Sequence, residues 1–315
     1  MSDLFLKSIS HYPLKSAQGL SLTAAHVNPL GLEQDRRWVL VDEHDKFISQ
    51  RSCAAMGGIH VVAEEQRLTL TFNGQTHIAY ANSNDRITAT VWGDTVADCW
   101  GVQHEVNQWL SASLGLAVKL VYFPDHAIRQ VDVVYAGEGY RTAFSDGYPV
   151  LVISQSSLDE LGRLWGAPID PRRFRANLII GGECEPFAED QWRQVTVGDV
   201  IFDLVKPCSR CVIPSLDPET HQQTDGFLRF LASVRRKADG KTYLGQNAVL
   251  ARHQIVDRKN IAKPENIGME SHGQSIAENA GLLHTKKEYG NAPLESEHRE
   301  HAKLTVRLGQ IVQVR

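Results

Sequence analysis

Two cysteines separated by a serine and an arginine are the residues of this chain best suited to chemistry. Directly after a strand-like run, the sequence reads Lys206-Pro207-Cys208-Ser209-Arg210-Cys211. A thiolate is a nucleophile and a ligand for soft metals, and a neighbouring guanidinium favours the thiolate form. We therefore expect thiolate chemistry at this loop.

Spacing alone leaves several roles open for these cysteines. Structural zinc normally takes two such pairs of ligands, and the other three cysteines are scattered, so a zinc site is disfavoured. A thioredoxin-like redox pair precedes a helix, which Pro214 and Pro218 oppose here. A structural role is common for a lone cysteine. That role suits Cys211 less well than Cys99, because Arg210 adjoins Cys211.

Basic residues lie where predicted strands begin or end: Lys15, Arg36 and Arg175. Each alone fits a surface ion pair, for example Arg36 with Asp35. If the strand ends converge, however, the three cations form a pocket that clamps a phosphate through charge-assisted hydrogen bonds. Neutral donors and acceptors for the same pocket are Ser16, Asn177 and Ser209. A thiolate beside a phosphate clamp indicates a phosphorylated cofactor whose metal accepts sulfur.

The elements that must position these residues are mostly strands. Short apolar runs broken by turn residues fill residues 1 to about 100, and Asn73-Gly74 is a strong hairpin signal. The predicted hairpins join residues 37–42 to 46–49, 68–72 to 77–80 and 87–92 to 95–100. Closely spaced hairpins of this kind predict a barrel or a sandwich.

Helices are predicted to be few and to follow this first part. Helical spacing of apolar residues, capping hydroxyls and terminal glycines indicate helices at 105–114, from Ser156 onward and at 226–237. Strands are predicted at 150–153, 177–180, 200–205 and 243–250, and a final strand pair at 304–308 and 311–314. The predicted fold class is therefore mostly β (α+β).

The 315-residue chain is long enough for two domains. We expect an N-terminal β domain at 1–100 and a second β domain with a few helices at 101–315. At about 252–303 large apolar residues give way to Glu, His, Asn and Lys, which predicts an inserted or poorly ordered segment.

Composition excludes several classes of protein. The net charge of −4 and the pI near 6.4 argue against a non-specific nucleic-acid binder. No apolar run approaches the ~20 residues of a membrane span, and the N-terminus does not resemble a secretory signal. Five cysteines make an odd count, which disfavours a disulfide framework. These features predict a reduced, cytoplasmic protein.

Several ordered motifs together resemble the MOSC proteins, named for the molybdenum cofactor sulfurase C-terminal domain. The resemblance is to the branch that contains the mitochondrial amidoxime-reducing component and bacterial YcbX, and it covers residues 1 to about 250 and 304–315. In chain order the motifs are Tyr12-Pro13-Leu14-Lys15-Ser16, Asp35-Arg36-Arg37-Trp38-Val39-Leu40, Phe144-Ser145-Asp146-Gly147-Tyr148-Pro149, Ile153-Ser154 to Leu158, Arg173-Phe174-Arg175-Ala176-Asn177, Cys208-Ser209-Arg210-Cys211, Asp217-Pro218-Glu219-Thr220 and Leu244-Gly245-Gln246-Asn247.

This resemblance implies a MOSC β-barrel with a few helices, preceded by the branch's N-terminal MOSC-associated β-barrel. In that branch the second Cys of the Cys-x-Arg-Cys motif ligates molybdenum, which here is Cys211. Arg210 would favour its thiolate, and Asp146 matches an acidic catalytic position near the metal. The residues that match the binding positions for the pterin and its phosphate are Lys15, Ser16, Arg36, Arg175, Asn177, Ser209 and Arg210.

The activity implied by the resemblance is a molybdenum-dependent reduction of N-hydroxylated compounds such as hydroxylamines, amidoximes or N-hydroxylated bases, a detoxifying reaction. The sequence has no cluster of four cysteines like that of a plant-type ferredoxin, so electrons are expected from a separate flavin or iron–sulfur protein. Two alternatives remain open. One is a non-catalytic carrier of the molybdenum cofactor, and the other is a sulfur carrier with a persulfide on Cys211.

Overall fold

The largest sheet of the protein has eight strands in the computed structural model, which describes residues 3–255 and 303–315. In spatial order they are β18 (Val312–Val314), β14 (Gln194–Val197), β15 (Val200–Ser209), β16 (Tyr243–Leu250), β12 (Val150–Ser154), β13 (Leu178–Gly181), β1 (Phe5–His11) and β2 (Leu20–Leu22). Neighbouring strands in this sheet are antiparallel except β12 and β13, which run parallel.

Three smaller sheets complete the β structure of the described residues. The first has the order β5 (Trp38–Val41), β11 (Lys119–Tyr122), β10 (Asp94–Gly101) and β9 (Asn82–Val91). The second contains β17 (Thr305–Arg307), β3 (Ala24–Asn28) and β4 (Gly31–Leu32), and the third contains β6 (His60–Glu64), β7 (Arg67–Phe72) and β8 (Gln75–Tyr80). The prediction of a mostly β protein with few helices is confirmed.

The α-helices of the described residues include α1 (His104–Leu114), α2 (Val133–Ala136), α3 (Gln155–Trp165) and α4 (Phe227–Arg235), and residues 252–255 are helical as well. Short 3₁₀ turns lie at Ala54–Gly58, Pro171–Phe174, Ala188–Asp190 and Ile213–Ser215. The three predicted helices are present as α1, α3 and α4. The cap of α3 is Ser154, however, whose hydroxyl accepts a hydrogen bond from the Ser157 amide, so the helix begins earlier than the predicted Ser156.

Alternation of apolar side chains explains how the large sheet is buried. In β15, Val200 and Phe202 are fully buried and Leu204 nearly so, while the residues between them are partly exposed. The apolar faces of α3 and α4 meet in a separate cluster that contains Leu161 and Phe227. Burial of each such side chain contributes about 1.5–3 kcal/mol, which fixes these elements around the sheet.

Of the predicted strand pairings, the first hairpin is present in a shorter form and the final pair is wrong. Residues 46–48 pair antiparallel with the end of β5, since Val41 bridges Phe47 and the Ile48 amide donates to the Leu40 carbonyl, although Lys46 also bridges Thr90. The main partner of β5 is β11. The strands at 304–308 and 311–314 are present but do not pair with each other, since β17 pairs with β3 and β18 pairs with β14.

Strands from the two ends of the chain share sheets. The N-terminal strand β1 lies next to β13 in the large sheet, and β3 pairs with β17. The division of the chain at about residue 100 stays a prediction. Most of the segment expected at about 252–303 lies outside the described residues. No helix in the described ranges is long and apolar enough to cross a membrane.

Candidate functional site

One cavity of about 420 Å³ contains all the residues predicted to form the site. Such a volume suits a small molecule or a cofactor. The predicted residues that line it are Lys15, Ser16, Arg36, Asp146, Arg175, Asn177, Ser209, Arg210 and Cys211. The strand ends therefore converge as the sequence predicted, although the residues are up to about two hundred positions apart in the chain.

Strand pairing explains why the basic residues meet. Because β1 and β13 are antiparallel, the segment that follows β1 lies beside the segment that precedes β13. Residues 12–15 also pair with residues 36–38, since the Lys15 amide donates to the Trp38 carbonyl and the Arg36 amide donates to the Tyr12 carbonyl. This arrangement places Lys15, Arg36 and Arg175 around one cavity.

Three of the predicted residues have an unusual backbone conformation. The φ angles of Ser16, Arg36 and Arg175 are +69°, +48° and +55°. Non-glycine residues rarely adopt positive φ, and such strain of about 1–3 kcal/mol concentrates at functional sites. The backbone conformation therefore supports, independently of charge, a functional role for this group.

The buried part of the cavity is lined by Arg36, Arg175 and Asn177. Together with Tyr12 and Asp35, which contact the arginines but do not line the cavity, these residues make up what we call the anion end. The guanidinium carbons of both arginines lie 4.2 Å from the centre of the Tyr12 ring. Arg36 Nη1 donates to Asp35 Oδ2 at 2.6 Å. Burial, and then the neighbouring Arg36, lower the pKa of Arg175 to about 10. Two adjacent guanidiniums with one carboxylate leave this end suited to a further anion.

Asn177 uses its amide mainly within the protein. Its Oδ1 accepts hydrogen bonds from Arg36 Nη1 at 3.2 Å and from the Leu151 amide at 3.1 Å, and its Nδ2 donates to the Ser10 carbonyl at 3.1 Å. Asn177 therefore fixes the position of Arg36. Its predicted contact with a cofactor stays a prediction.

The more open part of the cavity, which we call the thiol end, is formed by Lys15, Arg51, Trp92, Asp146 and Cys211. The Asp146 carboxylate accepts from Lys15 Nζ at 2.6 Å and from Arg51 Nη2 at 3.1 Å. Arg51 Nη2 also lies 3.0 Å from Cys211 Sγ. A continuous chain of polar contacts thus links Lys15 to the thiol.

These contacts shift the ionisation of both partners of the Lys15–Asp146 pair. Burial lowers the pKa of Lys15 to about 8, although Asp146 opposes the shift. Burial alone would raise the pKa of the Asp146 carboxyl, but Lys15 and Arg51 together outweigh it and hold that pKa well below its usual range. Asp146 is therefore a carboxylate across the physiological pH range, whereas Lys15 titrates near its edge.

Arg210 makes its side-chain contacts away from Cys211, so its predicted effect on the Cys211 thiolate stays a prediction. Its Nη1 lies 3.0 Å from Cys208 Sγ, and its Nη2 donates to the Phe174 carbonyl at 2.8 Å. The guanidinium that contacts Cys211 belongs to Arg51, which comes from a distant part of the chain.

Irregular pairing at the end of β15 positions the cysteine loop. The register between β15 and β16 shifts between Leu204 and Lys206 and again between Pro207 and Ser209. Such bulges re-aim side chains and are common beside active sites. Beyond them the Arg210 amide donates to the Thr242 carbonyl. Both Cys208 and Cys211 consequently line the cavity.

Sequence reasoning missed two residues of the thiol end, Arg51 and Trp92. Arg51 follows the apolar run at 46–49 much as Lys15 follows β1, so the same criterion of a cation at a strand boundary could have found it. Trp92 stands in a hairpin turn beside Gly93, and no feature of the sequence distinguishes it from an ordinary exposed aromatic residue.

The donors present in the cavity fit a cofactor better than a bare metal ion. Within residues 3–255 and 303–315, no group of three or more His, Cys, Asp or Glu side chains could hold a metal. A metal bound by Cys211 would need most of its ligands from another molecule. Among the described residues, no acceptor lies within reach of the buried Arg175 Nη2 or Arg210 Nε. These two donors suit an anionic, hydrogen-bonding group such as a pterin phosphate.

Two models of known protein domains match this chain. The model of the MOSC N-terminal beta barrel domain matches residues 4–117, and that of the MOSC domain matches residues 139–262. Mitochondrial amidoxime-reducing component 1 of Mus musculus is 31% identical over 224 residues, which are 66% of this chain and 64% of the mouse protein.

A second group of relatives has a different name. Molybdenum cofactor sulfurase of Oryza sativa subsp. japonica is 27% identical over 276 residues, which are 78% of this chain and 32% of that protein. The chain thus spans less than two thirds of the length of the mouse relative and about a third of the rice relative. From its two matching domains and these relatives, this chain belongs to the MOSC family, in the branch that contains the amidoxime-reducing components.

Proposed function

We propose that this chain is a molybdenum-cofactor-dependent reductase of N-hydroxylated compounds, with Cys211 as the protein ligand of molybdenum. The observation that carries the proposal is the single cavity in which a half-buried thiol faces a cluster of buried cations. The name of the mouse relative, an amidoxime-reducing component, supports the same reaction class.

Residues of the anion end would hold the cofactor. Arg36 and Arg175 would bind its phosphate, and the free Nε of Arg210 would donate to it as well. The hydroxyls of Ser16 and Ser209 line the same cavity and would bind the pterin. When bound, the cofactor supplies the two-electron redox chemistry, and the protein supplies position and electrostatics.

Reduction of an N-hydroxyl group to the N–H compound and water consumes two electrons and two protons. Lys15 is the group of the thiol end best suited to supply a proton, because its ammonium lines the cavity and burial lowers its pKa to about 8. Asp146 stays ionised and would orient Lys15 and Arg51 by its two hydrogen bonds. Its role is then to position these cations rather than to donate a proton.

The proposed enzyme would need an electron donor and a substrate from outside this chain. Electrons would come from a separate flavin or iron–sulfur protein, and the substrate would be a small N-hydroxylated molecule. We also propose a cytoplasmic location and no nucleic-acid partner. The net charge of −4 agrees with the last point.

One observation favours a second candidate function. The match to the rice molybdenum cofactor sulfurase covers 78% of this chain. As a carrier of the cofactor, the protein would bind it in the cavity without turnover. As a sulfur carrier, it would hold a persulfide on Cys211 and bind no metal. The same cations would serve a carrier as well as a reductase.

The experiment that separates these functions uses protein from a host able to make the molybdenum cofactor, purified without oxygen. Molybdenum, pterin and cyanide-releasable sulfur are measured, and benzamidoxime reduction is followed with reduced benzyl viologen. Stoichiometric molybdenum with turnover is the expected result. Molybdenum without turnover would indicate a carrier, and sulfur without molybdenum a persulfide domain. Protein from tungstate-grown cells is the matched control, since it should contain pterin but reduce nothing.

A further inference from the structure

Trp92 occupies a position that does not suit a tryptophan. It is the first residue of the two-residue turn between β9 and β10, where Val91 pairs with Asp94, and its φ is +58°. Glycine, asparagine and aspartate favour this conformation, whereas a bulky side chain is strained in it. The hairpin alone would therefore be at least as well formed without the ring.

The ring of Trp92 is held in place but remains open to the cavity. It packs against Phe47 with ring centres 4.9 Å apart, and the Arg51 guanidinium carbon lies 4.7 Å from its centre. Even so, 47% of the residue is exposed, and it lines the same cavity as Cys211. A strained aromatic side chain that is held by two neighbours and yet remains about half exposed is typical of a binding surface rather than of a core.

Arg51 connects this face to the thiol. Its guanidinium packs on Trp92 while its Nη2 contacts both Asp146 and Cys211. A planar molecule resting on the ring would consequently have its polar end directed along the cavity toward Cys211. The polar end of such a molecule would meet Arg51 and Asp146, and its flat part would meet Trp92.

We propose that Trp92 is the specificity-determining residue of this site and favours planar, conjugated N-hydroxylated substrates over small aliphatic ones. The inference rests on the proposed reductase function and names the substrate class within it. Aromatic rings and conjugated amidoximes stack on an indole face, whereas an alkyl group of one carbon gains little from it.

The test compares two amidoximes that differ only in the ring. Binding of benzamidoxime and of acetamidoxime is measured by calorimetry without any reductant, so that neither is consumed. Trp92→Gly removes the ring and also the backbone strain, and Trp92→Phe keeps an aromatic face. Tyr80→Ala is the control, because Tyr80 is exposed on β8 outside the cavity. Unfolding temperatures verify that each variant folds.

Trp92→Gly should weaken benzamidoxime binding about tenfold, as expected for loss of one stacked ring, with an unchanged unfolding temperature. Trp92→Phe should lose less, and acetamidoxime should bind all variants alike. With reductant, Trp92→Gly should raise KM for benzamidoxime with little change in kcat. Equal losses for both ligands, no loss for benzamidoxime, or no measurable benzamidoxime binding to wild type would each overturn the proposal. A wild-type protein that binds benzamidoxime but never reduces it would instead refute only the reductase function.

Discussion

The two ends of the cavity differ most in their exposure to solvent. At the anion end the side chains of Arg36 and Asp35 are 12% and 2% exposed, whereas at the thiol end those of Arg51 and Asp146 are 22% and 56% exposed. Both ends contain arginine–carboxylate pairs. The arginine–carboxylate pair therefore meets a nearly dry environment at the anion end and a more hydrated one at the thiol end, although the Lys15 side chain at the thiol end is itself only 6% exposed.

This difference indicates a division of labour. The anion end is fixed by the backbone pairing of residues 12–15 with 36–38 and by the amide of Asn177, and its backbone is strained at the positive φ angles of Arg36 and Arg175. Such an end suits a group that is bound once and kept. Small molecules can enter and leave at the exposed thiol end, where a reaction requires exchange. Removing one partner of an ion pair should cost more stability at the buried end than at the open end, because it leaves a buried charge without a partner.

The largest effect is expected when the thiol of Cys211 is removed. Cys211→Ala should abolish benzamidoxime reduction and reduce molybdenum retention by more than about a hundredfold, since loss of an outer-shell partner alone costs about 10–100-fold. The checks are metal analysis and the viologen assay on protein loaded under identical conditions.

Cys208→Ala is the matched control for that substitution. Cys208 lies three residues before Cys211 at the end of β15, lines the same cavity and is also 3.0 Å from an arginine. That arginine, Arg210, keeps its hydrogen bond to the Phe174 carbonyl, so the variant should retain activity within about threefold of wild type. Loss of activity in Cys208→Ala with retention in Cys211→Ala would reverse the assignment of the ligand.

A smaller effect is expected at the anion end. Arg175→Ala should weaken cofactor binding roughly tenfold to a hundredfold, because each charge-assisted hydrogen bond contributes ~1.5–3 kcal/mol. Pterin content after gel filtration measures this loss, and addition of cofactor in excess should restore activity.

Arg172→Ala tests whether the effect belongs to the cavity. Arg172 is close in sequence, but its guanidinium binds Asp170 and Glu219 at the surface and does not line the cavity. Equal loss of pterin in both variants would show that positive charge in general, rather than the anion end, retains the cofactor.

The sequence predicts those parts of the site that depend on neighbouring residues and misses those that depend on contacts between distant segments. Lys15, Arg36 and Arg175 were predicted because each adjoins a strand boundary, and strand boundaries are marked by local features such as Pro13. Their convergence follows from β1 pairing with β13, which only the whole set of motifs could indicate. The partners of the last two strands were not predictable, because β17 and β18 are both too short to specify a neighbour.

The environment of the thiols shows where local reasoning fails. Arg210 adjoins Cys211 in sequence, yet its guanidinium contacts Cys208. The guanidinium that lies 3.0 Å from Cys211 is that of Arg51, 160 positions away. Contacts between side chains of distant segments depend on backbone irregularities that no sequence pattern marks. The sequence does not mark Trp92 for the same reason, since only the fold shows that the turn places its ring in the cavity beside Cys211.

The smallest expected effect is a dependence of cofactor binding on pH. Lys15 belongs to the thiol end, and burial lowers its pKa from 10.5 to about 8. If its ammonium helps to hold the anionic cofactor, wild-type protein should retain the cofactor at pH 7 and bind it up to about tenfold more weakly by pH 9, where most of this lysine is neutral. Pterin retained after gel filtration at a series of pH values measures the change.

The stability of the protein should respond to the same titration in the opposite direction. Between pH 8 and 10.5 the unfolded chain binds a proton at Lys15 that the folded chain has released, so this residue makes the free energy of unfolding rise with pH. Loss of cofactor without loss of stability therefore indicates the titration of a binding group rather than unfolding. Lys15→Arg, which keeps its charge, should load cofactor at pH 7 and retain it equally at pH 9. If this variant loses cofactor with the same pH dependence as wild type, another group is responsible and the ammonium of Lys15 serves only to hold Asp146.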